Sequence, residues 1–325
     1  MAAAPKMTRE EEFLKKQEVF RRNAFLIIKK MVELAPEKGS PAHPSVLVDE
    51  VLHSIFFLGA INNPKYTPQN ILDDEDIFNK LKGRYPEPFK FFSSRLPTRA
   101  PLSCVLDMVV NLNGQQNEDE IKNRLKEFTL QLKQDGGTAL VSSTICVSQP
   151  DVTPRSVRYY GVSMSTSGPV PGQVIIAASC LSDVAEKKWD SYVADAVMTY
   201  YSKEKKKQKK PYFDGTIKLP KQARCQAFSL TDGTPMAPCR SCGNMFGLTT
   251  SETREWPYGN CAEPESLSNL LKNENNTREQ VMQSSDTCTP ANRQRAVEDV
   301  KKLLKEYLCM LQFQWDNHYY TPQGN

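Results

Sequence analysis

The stretch TALVSSTICV, residues 138–147, marks the place where this 325-residue chain changes character. It is rich in β-branched residues, and this composition predicts a buried strand. Ser156–Thr166 has a similar composition, and the turn-forming segment Ser167–Gly172 leads from it into another predicted strand, Gln173–Leu181. We therefore predict a β-hairpin in this part of the chain, and a further strand at Arg224–Leu230.

The residues before this stretch follow a helical pattern. Apolar side chains recur with helical spacing after the capping box Thr8-Arg9-Glu10-Glu11, after Pro44, over Thr67–Leu81 and over Asn117–Leu132. Short connections that contain Pro and Gly join these segments, which is typical of helical bundles. The sequence therefore predicts a helical N-terminal region over residues 1–135.

The residues after the predicted hairpin alternate between helical and strand patterns. Helical spacing returns in Trp189–Tyr201, in a short segment that starts at about Cys261, and in a long segment that begins at Thr289-Pro290. Interleaved helices and strands of this kind are typical of an α/β fold. We predict a mixed α/β domain over residues 138–325, in addition to the helical N-terminal region.

Two short motifs in the second domain carry the clearest chemistry. The first is PCRSC, residues 238–242, and the second is CAE, residues 261–263. A Cys-x-x-Cys pair presents two thiolates from one turn, and a third thiolate leaves one position of a tetrahedral zinc open to water. Glu263 stands where a proton-transferring carboxylate would be needed if that water were a nucleophile. The predicted zinc ligands are Cys239, Cys242 and Cys261.

These motifs resemble those of the cytidine deaminase-like superfamily, whose sites combine a His-x-Glu or Cys-x-Glu signature with Pro-Cys-x-x-Cys. The resemblance covers about residues 150 to 315 and implies a deaminase-like sheet domain. It implies that Cys261 is the first zinc ligand and that Glu263 moves protons without touching the metal. The implied activity is deamination of a nucleobase or nucleoside by zinc-activated water, with a nucleoside or a nucleic acid as the partner.

The order of the two motifs is inverted relative to that family. There the x-Glu signature precedes Pro-Cys-x-x-Cys, whereas here it follows. An in-order pairing would join Cys261-x-Glu263 to the later segment Asp286–Pro290, which supplies only Cys288 where two cysteines are expected. Under that pairing the domain would be a degenerate, non-catalytic relative.

Two other interpretations of the cysteines are open at this level. A fourth ligand, Cys225 or Cys288, would complete a structural four-thiolate zinc site. Alternatively, the cysteines pack as small buried apolar residues. In either case the protein would be a non-catalytic adaptor, and its helical N-terminal region would recruit a protein partner.

Composition limits the classes of protein that fit this chain. The chain is 39% hydrophobic and 25% charged, with a net charge of +4, which is ordinary for a globular protein. Apolar runs such as Ile55–Leu58 are too short to cross a bilayer, and no secretory pattern begins the chain, so we expect no membrane association. Nine scattered cysteines favour reduced thiols and a cytoplasmic or nuclear location. No Gly-rich phosphate-binding or dinucleotide-binding motif supports a nucleotide enzyme.

Two further features have a structural and a functional interpretation. The lysine-rich segment, residues 203–210, follows a helical pattern, where lysines favour a helix C-terminus. It would otherwise contact phosphates or direct the protein to the nucleus. His53 lies on an apolar helical stretch, and we predict that it packs in the core and is not a ligand.

Overall fold

The computed structural model describes residues 9–35, 43–183, 188–202, 208–283 and 285–323, without the side chains of 9–17, 43 and 135. The described chain is mixed α/β with a helical N-terminal region, which confirms the predicted fold class. The capping box predicted at Thr8 and residues 203–207 of the lysine-rich segment lie outside this description.

The described helices of the N-terminal region include one mostly apolar helix against which several others pack. They are α1 (Arg9–Leu34), α2 (His43–Ala60), α3 (Pro68–Leu72), α4 (Glu75–Arg84), α5 (Pro86–Phe91), α6 (Pro101–Asn113) and α7 (Glu118–Leu132). Most side chains of α2 are buried, because α1, α5 and α6 all pack against it. A mostly apolar helix that its neighbours cover on several sides belongs in the interior.

Two details of this region differ from, or add to, the sequence prediction. The single helix predicted over Thr67–Leu81 is two helices, α3 and α4. Asp73 adopts a left-handed conformation between them (φ 51°), and the Asp74 carboxylate accepts the Ile77 N–H at 2.9 Å to start α4. Aspartate favours helix caps over helix interiors, which explains the break. The apolar segment 103–112, whose composition fits either a helix or a buried strand, is part of α6.

One antiparallel sheet forms the centre of the second region. Its strands, in spatial order, are β2 (Tyr159–Val162), β1 (Thr144–Gln149), β4 (Arg224–Ser229) and β5 (Pro235–Met236). β1 and β2 overlap the strands predicted at 138–147 and 156–166 and pair with each other as a hairpin. A separate two-stranded ribbon joins β3 (Ile217–Lys218) to β6 (Met282–Gln283).

The prediction that Gln173–Leu181 returns as a strand was wrong. These residues belong to the helix α8 (Pro169–Leu181). Gly168 and Pro169, which the sequence suggested as a turn, instead start the helix, with the proline at a first-turn position that needs no N–H donor. α8 is buried on nearly all sides from Val174 to Cys180, so its sequence shows no helical period that could separate it from a buried strand.

The remaining described helices complete the second region. They are α9 (Ser191–Tyr200), α10 (Arg240–Phe246), α11 (Ala262–Asn273), α12 (Asn275–Glu279) and α13 (Pro290–Met310). α11 packs against β1 and β2. Side chains of α7 contact the other face of the sheet, since Lys122 lies over the Phe228 ring and Glu118 pairs with Arg224. A single hydrophobic core includes residues from the helical region and from the sheet region.

Three sequence features take structural positions in this fold. His53 is buried, stacks on Tyr320 with ring centroids 3.7 Å apart, and has its pKa lowered to about 3 by burial, so it is a neutral core residue. The Lys210 ammonium donates to the carbonyls of Met198 and Tyr201 at the C-terminal end of α9, as expected for a helix-ending lysine. Within the described ranges, none of the helices combines the length and apolarity that a bilayer span requires.

Candidate metal centre

The sulfur atoms of Cys239, Cys242 and Cys261 converge, as the spacing of the two motifs predicts. All three lie within 4.8 Å of one another, and the Sγ atoms of Cys239 and Cys261 are 3.4 Å apart. Cys242 is completely buried, whereas Cys239 and Cys261 are partly exposed. The cluster is therefore buried at Cys242 and partly exposed to solvent at Cys239 and Cys261.

Two helix N-termini bring these sulfurs together. Cys239 is the N-cap of α10, and Cys242 lies in the first turn of that helix. Cys261 is the N-cap of α11. The positive end of a helix dipole favours a thiolate at both places. The N-termini of both helices therefore stabilise negative charge on the same group of sulfurs.

The cluster has the dimensions and chemistry of a zinc site. At a Zn–S distance of about 2.3 Å, the sulfurs of a tetrahedral site lie about 3.8 Å apart. The Cys239–Cys261 separation is 3.4 Å and no separation exceeds 4.8 Å, which is compatible with that value. Thiolate sulfur is a soft ligand that favours zinc over magnesium or calcium. The three cysteines therefore fit a zinc ion that has one position left for a further ligand.

Neither of the two fourth ligands considered from the sequence joins the cluster. The Cys225 sulfur lies 3.6 Å from that of Cys146, on the neighbouring strand. The Cys288 sulfur accepts a hydrogen bond from the Gln283 amide at 3.4 Å. Among the described residues, no fourth His, Cys, Asp or Glu completes the group of three.

The three thiols share their protons unequally. Hydrogen bonds from the Cys242 and Cys261 thiols are the largest effects that lower the pKa of Cys239. The pKa of Cys242 is raised by burial first, and the pKa of Cys261 is raised first by its hydrogen bond to Cys239. A divalent cation bound here would displace the thiol protons, because zinc binds cysteine as the thiolate.

Glu263 lies beside the cluster without belonging to it. It is in the first turn of α11, two residues after Cys261, and is 4% exposed. Its oxygen atoms are outside the group of atoms that lie within 4.8 Å of one another. Burial is the largest effect on this carboxyl and raises its pKa to about 7. A carboxylate next to the ligands but not among them is where a proton carrier would be placed.

The segment between α10 and α11 is anchored to the first motif. The Ser241 hydroxyl donates to the Trp256 carbonyl at 2.7 Å, and the Asn244 amide donates to the Tyr258 hydroxyl at 2.9 Å. Tyr258 also stacks on Tyr200 of α9, with ring centroids 4.0 Å apart. Ser241 was not predicted as a site residue, although its position between the two cysteines of the motif was a clue that sequence could supply.

Two glycines let α11 approach the sheet. Gly259 precedes Cys261 with a φ of 89°, a conformation that suits glycine. Gly161 of β2 faces the first turn of α11, where a Cβ atom would lie 2.3 Å from the Ser266 nitrogen and 2.6 Å from the Ala262 oxygen. Ser266 in turn hydrogen-bonds Ser148 of β1 at 2.8 Å. The start of α11, and with it Cys261, is therefore held directly against the sheet.

Comparisons with protein-family models, with curated proteins and with solved structures found no match for this chain.

Proposed function

We propose that this protein is a zinc-dependent deaminase that acts on a nucleobase, either in a free nucleoside or in a nucleic acid. The observation that carries the proposal is the convergence of three sulfurs from two helix N-termini beside a buried carboxylate that is not a ligand. A structural zinc site normally has four protein ligands, whereas a catalytic one has three and keeps one position open. The three-sulfur cluster and Glu263 match the catalytic pattern.

The residues of the site have separate roles in the proposed reaction. Cys239, Cys242 and Cys261 would hold the metal, and zinc, when bound, supplies a Lewis acid that makes a water molecule acidic near neutral pH. The Glu263 carboxylate would accept a proton from the attacking water and deliver one to the leaving nitrogen. Water and an aromatic amine are consumed, and a carbonyl and ammonia are released.

Metal content tests the ligand set. Purified protein should contain one zinc per chain, and Cys239→Ser, Cys242→Ser or Cys261→Ser should each lower that content sharply, because a hydroxyl is a poor zinc ligand in place of a thiolate. Elemental analysis of the purified variants measures it. Cys225→Ser and Cys288→Ser serve as matched controls and should keep the metal. Loss of zinc from the Cys288 control, or full zinc in all three ligand variants, would contradict the assignment.

Ammonia release tests the reaction. Wild-type protein should release ammonia from at least one member of a panel of free nucleosides, nucleotides and single-stranded oligonucleotides. Glu263→Gln should lower the rate by about 10²–10⁴-fold, because the amide keeps the shape but cannot carry the proton. Its zinc content should stay unchanged.

The control for this test is Glu127→Gln, at an exposed position of α7. It makes the same chemical change on a helix that contacts the sheet face opposite α11, and it should retain wild-type activity. Equal activity in the Glu263 variant would remove this residue from the mechanism. Zinc-loaded protein that is inactive across the whole panel would favour the non-catalytic adaptor.

A further inference from the structure

A buried guanidinium connects the helical N-terminal region to the start of α11. Arg99, which precedes α6, has a side chain that is 14% exposed. Its Nη1 lies 3.6 Å from Glu50 of α2, its Nη2 lies 2.6 Å from Asp107 of α6, and its Nε lies 3.7 Å from Glu265 of α11. Each of the three nitrogens thus faces a different carboxylate.

The backbone around Arg99 is fixed by two other helices. The Arg99 carbonyl accepts the Ser54 hydroxyl of α2 at 2.9 Å. The neighbouring Thr98 carbonyl accepts the Ser179 hydroxyl of α8 at 2.6 Å. The guanidinium itself donates to the Ser103 carbonyl at 2.8 Å. Arg99 is therefore held in place independently of α11.

Glu265 links Arg99 to the helix that begins at the candidate metal centre. It lies in the first turn of α11, one turn after Cys261 and two residues after Glu263. One carboxylate oxygen faces Arg99, and the other accepts the Val162 N–H of β2 at 2.8 Å. Glu265 thus joins the helical region, the sheet and the ligand-bearing helix.

We propose that Arg99 is a positioning residue: through Glu265 it fixes the first turn of α11 and so places Cys261 and Glu263 relative to the sulfurs of α10. The helical N-terminal region is then part of the metal centre and not a separate recruiting module. The inference rests on the proposed metal centre, but it holds whether the bound metal is catalytic or structural.

The charges around Arg99 explain why its geometry matters. One guanidinium faces three carboxylates, and it keeps a pKa well above that of a free arginine because of those negative charges, despite its burial. Burial is the largest effect on Glu265 and raises its pKa, although Arg99 lowers it. An arginine reaches three partners with a planar, forked group, whereas a lysine carries the same charge on a single nitrogen.

Arg99→Lys tests the proposal, because it keeps the charge and removes the fork. Removing a residue that orients metal ligands typically costs 10- to 100-fold in affinity, so we expect the zinc dissociation constant to rise at least about 10-fold. Competition with a chromophoric chelator measures this constant. Cobalt(II) substituted for zinc should also show a shifted d–d spectrum, which reports ligand geometry and not stability.

The matched control is Arg224→Lys. Arg224 also makes a forked pair, with both Nη atoms on Glu118, but on the face of the sheet that is turned away from α11. The control should lose a comparable amount of thermal stability and keep wild-type zinc affinity and cobalt spectrum. Equal effects of the two variants on metal affinity, or no effect of Arg99→Lys, would overturn the proposal.

A second variant covers the case in which Arg99→Lys does not fold. Glu265→Gln removes the pair with Arg99 and keeps an oxygen for the Val162 N–H. It should weaken zinc binding and shift the cobalt spectrum, and wild-type values for both would overturn the proposal. Failure of the wild-type protein to bind zinc or cobalt would overturn the metal centre and this inference together. Metal binding without deaminase activity would contradict the proposed function alone.

Discussion

At the scale of the residue, Gly161 sets how close the ligand-bearing helix comes to the sheet. A Cβ atom there would lie 2.3 Å from the backbone nitrogen of Ser266, and backbone cannot move aside as a flexible side chain can. We expect Gly161→Ala to push α11 away from β2, to lower the free energy of unfolding by about 1–3 kcal/mol or more, and to weaken zinc binding. Urea denaturation and a zinc titration measure the two effects.

Gly83 offers the same substitution without a clash. It lies within α4, and an added Cβ would meet nothing within 4 Å. Gly83→Ala should therefore leave zinc affinity unchanged and stabilise the protein by up to about 1 kcal/mol, because alanine loses less backbone entropy in a helix. If both variants keep full zinc affinity and stability, the contact between Gly161 and α11 does not control the site.

At the scale of the element, the C-terminal segment after α13 closes over α2. Tyr319 forms a parallel bridge with Leu96, and the Tyr320 N–H donates to the Leu96 carbonyl at 2.9 Å. The Tyr320 hydroxyl then donates to the buried Asp49 carboxylate of α2 at 2.6 Å, and the Gln323 N–H donates to the same oxygen at 3.1 Å. The segment is therefore anchored to the Leu96 backbone and to one buried acid, Asp49.

The ionisation of Asp49 gives this anchor a pH dependence. Burial raises the pKa of Asp49 from 3.8 to about 6, although the two hydrogen bonds lower it. A carboxyl whose pKa is raised in the folded state favours folding below its unfolded pKa, and this contribution is lost as the pH rises through about 6. The loss amounts to about 2 kcal/mol between pH 4 and pH 7.

Asp49→Asn should remove that dependence. The amide oxygen still accepts the Tyr320 and Gln323 donors, and no charge has to be buried at neutral pH. The variant should gain free energy of unfolding relative to wild type as the pH rises from 4 to 7, as measured by urea denaturation across that range. Asp76→Asn, at an exposed position of α4, is the control and should follow the wild-type profile. Parallel profiles for wild type and Asp49→Asn would contradict the assignment.

At the scale of the whole molecule, one core joins the helical region to the sheet, and the candidate metal centre depends on both. We expect a single unfolding transition, with the same midpoint by far-ultraviolet circular dichroism and by tryptophan fluorescence. Zinc should raise that midpoint and a chelator should lower it. A free zinc concentration 1,000-fold above the dissociation constant corresponds to about 4 kcal/mol of stabilisation. Two separate transitions, or an unfolding midpoint that does not change when zinc is added, would contradict this expectation.

The start of α13 and the start of α11 could be predicted from the sequence. Thr289 accepts the Asn292 N–H and Pro290 follows it at the start of α13, as the Thr-Pro pair predicts. The helix predicted from about Cys261 begins at Ala262, with Glu263 in its first turn. These features depend on hydrogen bonds between residues a few positions apart, and such bonds form wherever the local sequence allows them.

Long-range packing decided the rest. Other elements bury Gln173–Leu181 on nearly all sides, so its composition does not separate helix from strand, and only the tertiary structure shows that it is helical. The short separation between the sulfurs of α10 and α11 depends on how both helices pack against the rest of the fold. The contact between Arg99 and Glu265 likewise joins two distant parts of the chain, and no pattern in either part indicates it. Which residues meet across a core depends on the packing of all its elements together, and that information is absent from any short stretch of sequence.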